Sequence, residues 1–198
     1  MLKNILLALA ILLLAPAVTV ADTTATADNS GLPNPQVTIR TTQGDITLRL
    51  FRDKAPITVE NFLRYVDNGF YKGTVFHRVI PNFMIQGGGF LADMTEKPTE
   101  AAIVNESKNR LHNLRGTVAM ARTNDPDSAT AQFFINQRSN LQLDWQPGQE
   151  GYAVFGEVTE GMNVVDYIAT TPVQQVGPFS DVPVEPIVII EITRKRLL

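Results

Sequence analysis

The sequence predicts a mainly β fold in which about eight strands close into an antiparallel barrel, accompanied by two helices. Three observations support this. Short segments of alternating apolar and polar residues recur along the chain, which is the period of a half-buried strand. Most of the connections between these segments are too short for the crossovers that parallel strands require. Two other segments carry their apolar residues at the helical period instead.

The predicted strands begin with a hairpin. Gln36–Thr42 and Asp45–Phe51 alternate on either side of Gln43-Gly44, which has the composition of a turn. Six more apolar runs, separated by Gly, Pro and Asn, complete the sheet: Val75–Ile80, Phe83–Gln86, Thr117–Ala121, Gln132–Asn136, Tyr152–Val158 and Ile187–Arg194. Long loops at 88–116 and 122–131 are predicted to lie on the surface, where binding residues are often carried.

Both helices are predicted from apolar stripes. The first begins near Pro56, because proline is accepted in a first helical turn, and Gly69 ends it. Its apolar positions follow the spacing i, i+3, i+4 and i+7: Val59, Phe62, Leu63 and Val66. The second helix rests on the pattern Met162, Val165 and Ile168, with its start near Thr159 or Glu160.

Residues 1–21 have the three-part pattern of a secretory signal peptide. A short positive start precedes an apolar run over residues 5–20, and small residues at 19–21 suit cleavage. A membrane anchor is the alternative, but the run is shorter than the roughly 18–20 apolar residues that spanning requires, and Pro16 lies inside it. We therefore expect an exported protein that has no membrane association once residues 1–21 are removed.

The rest of the chain suits a flexible lead-in followed by one domain. Residues 22–35 are rich in Thr, Ala, Asp, Asn and Pro and show no apolar period. Residues 36–198 are enough for a single domain with one sizeable core, and nothing in them repeats at a fixed period. Because neither a heptad pattern nor a long apolar edge strand is visible, we expect a monomer.

Composition excludes several kinds of chemistry. The chain has no cysteine and only two histidines, so thiol catalysis is excluded and a zinc site lacks ligands. There is no G-x-S-x-G nucleophile elbow. The net charge is −3, or −4 once Lys3 leaves with the signal peptide, and no basic stripe suits nucleic acid. The sequence thus predicts no metal, no cofactor and no nucleic-acid partner.

One strand face carries an unusual charge. In Val75–Ile80, strict alternation puts Phe76, Arg78 and Ile80 on one face and His77 on the other. An arginine between apolar neighbours is either partnered in an ion pair or lies along the surface with its head in water, and periodicity does not decide between these. The glycine run at 87–89 predicts a turn in which backbones approach closely.

Two motifs carry a family resemblance. The segment F-H-R-V-I-P-N-F-M-I-Q-G-G begins at Phe76, and M-A-R-T is followed by S-A-T-A-Q-F-F-I-N, which ends at Asn136. Together they closely resemble the two central motifs of the cyclophilins. Further similar stretches, N-L-Q-L-D from Asn140 and G-Y-A-V-F-G from Gly151, extend the likeness from about Val37 to Ile192. Arg122-Thr123, Tyr152 and the signal peptide are similar to the bacterial periplasmic branch.

The resemblance implies an eight-stranded barrel capped by two helices and a peptidyl-prolyl cis–trans isomerase without a cofactor. Its partners would be proline-containing polypeptides in the periplasm. It implies a catalytic group of Arg78 as the cation, Gln86 as a hydrogen-bonding partner of the substrate backbone, and Phe83. Phe83 would also wall the proline pocket with Met84, Phe133 and Leu143. Further substrate contacts are expected from Phe76, Ala121, Arg122, Thr123, Gln132 and Tyr152.

Two points qualify this expectation. Gln142 stands where many eukaryotic members have a tryptophan that helps to bind cyclosporin, so we expect weak cyclosporin binding. The alternative function is a chaperone-like binding module for proline-containing segments, which would use the same pocket. The presence of both Arg78 and Gln86 favours the enzyme, because a binding module needs the apolar pocket more than the cation. Neither His77 nor His112 is assigned a role.

Overall fold

The computed structural model of the chain describes residues 34–195. The predicted signal peptide and nearly all of the lead-in segment lie outside these residues. Within them, no helix is both long enough and apolar enough to cross a membrane. The strands are β1 (Gln36–Thr41), β2 (Gly44–Leu50), β3 (Thr74–Ile80), β4 (Met84–Leu91), β5 (Thr117–Met120), β6 (Phe133–Asn136), β7 (Val154–Glu160), β8 (Val173–Val176), β9 (Phe179–Pro183) and β10 (Ile189–Arg194).

Eight of the strands form one antiparallel sheet in the order β10-β1-β2-β7-β5-β6-β4-β3. The two outermost strands meet and close it into a barrel. Val75 pairs with Val188, and the backbone N–H groups of Gly73 and Phe76 donate to the carbonyls of Ile189 and Ile187 at 2.9 and 3.0 Å. The predicted eight-stranded antiparallel barrel is therefore confirmed.

Aromatic rings fill one end of the barrel interior. Phe62, Tyr71, Phe76, Phe133 and Phe155 are almost completely excluded from solvent. Neighbouring ring centroids in this group lie 5.2–6.1 Å apart, and all five ring pairs are tilted or edge-to-face, which is the geometry that aromatic quadrupoles prefer. The phenol of Tyr71 donates to the carbonyl of Ala131 at 2.8 Å, so this buried polar group is satisfied.

The helices α1 (Pro56–Asp67) and α2 (Met162–Ala169) contribute to the same core. All four predicted apolar positions of α1 are buried, and Gly69 follows its end with a left-handed φ of 65°. The N-cap residue of α1, Ala55, has no side chain that could cap the helix. Glu106, from a loop distant in sequence, takes this role, since its carboxylate accepts the backbone N–H of Thr58 at a distance of 2.8 Å. The start predicted for α2 is wrong, since Gly161 precedes the helix and residues 159–160 end β7.

Two features of the fold were not predicted. β8 and β9 form a separate two-stranded hairpin, which packs against β3. Two short 3₁₀ helices, Ser107–Asn109 and Leu141–Leu143, interrupt the loops. The glycine run at 87–89 lies inside β4 and is not a turn. The expected close approach is present, because a Cβ on Gly87 would lie 2.9 Å from the carbonyl oxygen of Val75.

Candidate active site

An open groove of about 450 Å³ lies on the outer face of β3, β4 and β6. It continues to the segment after β5 on one side and to the β8–β9 hairpin on the other. The residues that line it are His77, Arg78, Phe83, Met84, Gln86, Phe90, Ala121, Arg122, Gln132, Phe134, Leu143, Tyr152, Pro178, Phe179 and Ser180.

The floor of the groove is a second apolar cluster, separate from the barrel core. Met84, Ala119, Phe134 and Val154 are buried in it, and Phe83, Leu143 and Tyr152 pack against it from the rim. The rings of Phe134 and Tyr152 meet edge-to-face, with centroids 5.6 Å apart. The floor is therefore apolar, and it is open to a ligand on one side.

An irregularity in β3 places the charge of the groove. Phe76 pairs with Gly87 on β4, and Arg78 pairs with the adjacent residue, Gln86. Two residue steps along β3 therefore face a single step along β4, and His77 is an extra residue that forms a β-bulge. The alternation restarts after it. Phe76 and Val79 point into the barrel core, while His77 and Arg78 both line the groove. The predicted shared face of Phe76 and Arg78 is thus wrong, because a bulge interrupts the period of two.

Two arginines line the groove in different ways. The guanidinium of Arg122 is fixed: it donates to the carbonyls of Thr123 and Glu150 at 2.8 and 2.6 Å and lies 4.6 Å from the Tyr152 ring centroid. Arg78 forms no ion pair and no side-chain hydrogen bond with any residue between 34 and 195. Of the two alternatives that the sequence left open, an ion pair is therefore excluded within this range.

An amide pair adjoins Arg78. Gln86 lies directly opposite Arg78 across the β3–β4 ladder, and its Nε2 donates to Oε1 of Gln132 at 3.1 Å. Gly89 makes room for this pair, since a Cβ there would lie 2.5 Å from Cγ of Gln132. This pairing leaves the side-chain oxygen Oε1 of Gln86 and the side-chain Nε2 hydrogens of Gln132 available to a polypeptide backbone in the groove.

A buried polar network supports the rim. Asp144 accepts the backbone N–H of Asn113 at 2.7 Å and its side-chain amide at 3.0 Å. Asn113 in turn accepts from Asn136, and Asn136 accepts from Asn140 at 2.7 Å. Asn140 also donates to the carbonyl of Phe83 at 2.9 Å. Because these groups are buried and paired, they fix the segments that carry Phe83 and Leu143.

His77 is an uncharged part of the wall. Its side chain is buried against the ring of Phe90, with centroids 4.7 Å apart. Burial lowers the pKa of His77 from 6.5 to about 4, because the imidazolium would lose its hydration. The imidazole is therefore neutral at pH 7. His112, by contrast, is exposed, and its Nδ1 lies 2.8 Å from a carboxylate oxygen of Asp144.

Most of the predicted site residues come together. Those that line the groove are Arg78, Phe83, Met84, Gln86, Ala121, Arg122, Gln132, Leu143 and Tyr152. Three do not. Phe76 and Phe133 are completely buried in the barrel core, and Thr123 is exposed beside the groove, where its hydroxyl bonds to Ser128 at 2.8 Å. Phe133 faces the core because the alternation of β6 turns Phe134 to the groove, and Phe76 faces the core because the bulge at His77 breaks the face it was predicted to share with Arg78.

Several residues that line the groove were not predicted from the sequence. Phe134 takes the place that was assigned to Phe133, and only the register of β6 distinguishes them. His77 lines the groove because of the bulge in β3. Phe90 and the segment Pro178–Ser180 form the far end, and no period or motif indicated them. Gln142 and Trp145 are exposed and lie outside the lining. Among residues 34–195, no group of three His, Cys, Asp or Glu side chains could hold a metal ion.

Known proteins are similar to this chain in sequence and in fold. The family profile described as "Cyclophilin type peptidyl-prolyl cis-trans isomerase/CLD" matches residues 36–194. A peptidyl-prolyl cis–trans isomerase of Acinetobacter baylyi is 53% identical over 84% of this chain and 88% of its own length. Isomerase A of Dickeya dadantii is 50% identical over 89% and 94%, and isomerase B of Escherichia coli is 52% identical over 79% and 98%.

Solved structures agree. A crystal structure of a cyclophilin-type isomerase from Cryptosporidium parvum superposes with a TM-score of 0.73 at 29% identity and covers 83% of this chain and 99% of its own. The profile match spans nearly the whole barrel, and the bacterial relatives are covered almost completely. The chain therefore belongs to the cyclophilin family and is a cyclophilin-type peptidyl-prolyl cis–trans isomerase.

Proposed function

We propose that Arg78 is the catalytic cation of this isomerase and that the apolar floor beside it receives the proline ring. The observation that carries the proposal is the guanidinium of Arg78, which has no partner among residues 34–195 and lies next to an open apolar groove. A buried or half-buried arginine normally has a carboxylate partner. Here the prolyl amide of the substrate would be the partner of the guanidinium.

The chemistry of the reaction suits such a group. A prolyl peptide bond resists rotation because its nitrogen lone pair is delocalised into the carbonyl, with a barrier of about 18–20 kcal/mol. In the twisted state the nitrogen regains its lone pair. A guanidinium above the ring can then donate to that nitrogen, which is an interaction that the planar amide does not offer. The cation stays protonated throughout and moves no proton.

The remaining groups would hold the substrate. Met84, Phe134 and Leu143 border a space in which the ring is immobilised while the acyl side turns. The side-chain carbonyl oxygen of Gln86, whose Nε2 is already bonded to Gln132, would accept a backbone N–H of the substrate. A similar protein from Cryptosporidium parvum, with a TM-score of 0.71 and 30% identity, has been crystallised in the presence of the dipeptide Ala-Pro. That supports a prolyl dipeptide unit as the ligand of this groove.

Magnitudes set the expected effect of removing Arg78. A charge-assisted hydrogen bond contributes about 1.5–3 kcal/mol, and about 1.4 kcal/mol corresponds to a tenfold change in rate. Arg78→Ala should lower kcat/KM by about ten- to a hundredfold and leave the fold intact. Arg78→Lys should recover only part of the activity, because lysine lacks the planar fork.

The test is a protease-free isomerisation assay on an Ala-Pro peptide with enzyme at substoichiometric concentration. The matched control is Arg40→Ala, which removes the same charge from an exposed pair with Glu191 on the edge of β1. Activity of Arg78→Ala within twofold of the wild type would contradict the proposed mechanism. Binding without acceleration by the wild type would favour the chaperone-like alternative.

We also propose that the chain is exported to the periplasm and there assists, as a monomer, the folding of proteins with X-Pro bonds. The support is the apolar run over residues 5–20 with small residues at 19–21. Expression of the full chain in a Gram-negative bacterium should yield, in the periplasmic fraction, a product whose mass lacks residues 1–21. Recovery of the uncleaved chain in the cytoplasmic fraction would contradict export.

A further inference from the structure

The groove extends beyond the floor proposed for the proline ring. His77, Phe90 and Phe179 form a continuous row of rings, which we name the aromatic shelf. The centroids of His77 and Phe90 lie 4.7 Å apart, and those of Phe90 and Phe179 lie 5.1 Å apart at 67°. All three residues line the same cavity as Arg78, so the shelf and the floor belong to one groove.

The β8–β9 hairpin supplies the outer part of the shelf. Gly177-Pro178 forms its tip, Phe179 begins β9, and β9 packs against β3. The ring of Phe179 is only half-buried, in contrast to His77 and Phe90, which are buried beneath it. One edge of the row is therefore still available to a side chain that enters the groove.

The charge of the cavity restricts what can occupy it. Among the described residues that line it, the only permanent charges are the cations Arg78 and Arg122, and no Asp or Glu is present. The shelf itself adds no charge, because His77 is neutral at pH 7. An aromatic side chain gains contacts with the shelf, whereas a lysine or arginine side chain would meet two positive charges without a carboxylate.

The sheet order separates the two ends of the groove. β5, β6, β4 and β3 are consecutive neighbours, the segment Ala121–Arg122 follows β5 at one end, and the shelf lies over β3 at the other. A polypeptide that crosses this face with its proline on the floor therefore points one flank toward the shelf and the other toward Arg122. Only one of the two neighbours of the proline can reach the rings.

We propose that the aromatic shelf is a specificity subsite that binds an aromatic side chain on one flank of the substrate proline and disfavours a basic one. This subsite rests on the proposed function, since it presumes that the proline ring occupies the floor. It assigns the β8–β9 hairpin a role in substrate choice, and Phe179 is the residue that determines it.

Two peptide series test the subsite by exchange NMR with substoichiometric enzyme. In one, the residue before proline is Ala, Phe or Lys, and in the other it is the residue after proline. For one series only, we expect kcat/KM to be about three- to tenfold higher with Phe than with Ala, and lower with Lys than with Ala. In the other series these values should agree within about twofold. Equal values in both series, or a Phe preference in both, would overturn the proposal.

Variants of the hairpin assign the effect. Phe179→Ala should reduce the Phe-to-Ala ratio to about one, whereas Phe179→Tyr, which keeps the ring, should retain it. The control Val173→Ala changes an exposed residue of the same hairpin outside the groove and should behave as the wild type. An unchanged ratio in Phe179→Ala would overturn the assignment. If the wild type accelerated no peptide at all, the proposed function would be wrong rather than the subsite.

Discussion

Phe133 and Phe134 are adjacent on β6, but they serve two regions with different properties. Phe133 is enclosed in the barrel core, where rings of Phe62, Tyr71 and Phe76 surround it. Phe134 belongs to the groove floor, where it packs in one cluster with Met84 and borders the open cavity. The core uses its apolar surface for stability, whereas the floor leaves part of its apolar surface for a ligand to cover.

The sharpest test of this comparison is Phe133→Ala. Removing a fully enclosed ring loses its burial and leaves a cavity that the surrounding rings cannot close. We expect the free energy of unfolding to fall by about 3–5 kcal/mol, measured by urea denaturation. A loss below about 1 kcal/mol would show that the core collapses around the gap, which would contradict the comparison with the open floor.

A second test uses pH, because His77 is the one buried histidine of the groove wall. Its pKa is about 4 in the folded chain and near 6.5 when unfolded, so between these values the unfolded chain binds more protons. Stability from this group is complete above pH 6.5 and is lost progressively as the pH falls from 6.5 to about 4. The full loss is about 3 kcal/mol.

The measurement compares urea unfolding of the wild type with that of His77→Gln at pH 7, 5.5 and 4.5. Carboxylates titrate in both proteins, so the difference between the two curves isolates His77. The wild type should lose more stability than the variant as the pH falls. Parallel pH curves would mean that the imidazole is hydrated and that this wall is open to water.

The smallest expected effect on stability belongs to Phe134→Ala. Its ring borders open space, so its loss should reduce stability less than the loss of Phe133. The floor would, however, lose much of its contact with the proline ring, and kcat/KM should fall about tenfold. Phe133→Ala should thus lower stability more than Phe134→Ala does, whereas Phe134→Ala should lower kcat/KM more than Phe133→Ala does. If Phe134→Ala kept full activity, the floor would not be the proline site.

Most elements of the fold were predictable because they follow short apolar runs separated by Gly, Pro and Asn. The first hairpin and both helices add clear periods of two and 3.6, and the predicted bounds of the barrel strands differ from the observed ones by at most five residues. The β8–β9 hairpin was missed because its two strands are short and carry no apolar alternation. Its only sequence signal is Gly177-Pro178 at the tip.

The site was less predictable than the fold, for two physical reasons. Two consecutive identical residues, Phe133 and Phe134, give no compositional sign of which one faces the core. Register decides this, and a register shift of one residue exchanges the faces. The second reason is the irregular pairing at His77, which strict alternation cannot anticipate. The distant Phe179 reaches the groove only through tertiary packing.

The bulge in β3 has a consequence for how such a groove can be changed. Because His77 is an additional residue rather than a substituted one, the orientation of Arg78 depends on the number of residues between Phe76 and Val79. Deleting one residue there would remove this bulge and turn the guanidinium or its neighbour toward the opposite side of the sheet. The position of the proposed catalytic cation therefore depends on the number of residues in this segment of β3, so an enzyme designer who grafts this site must copy the spacing as well as the arginine.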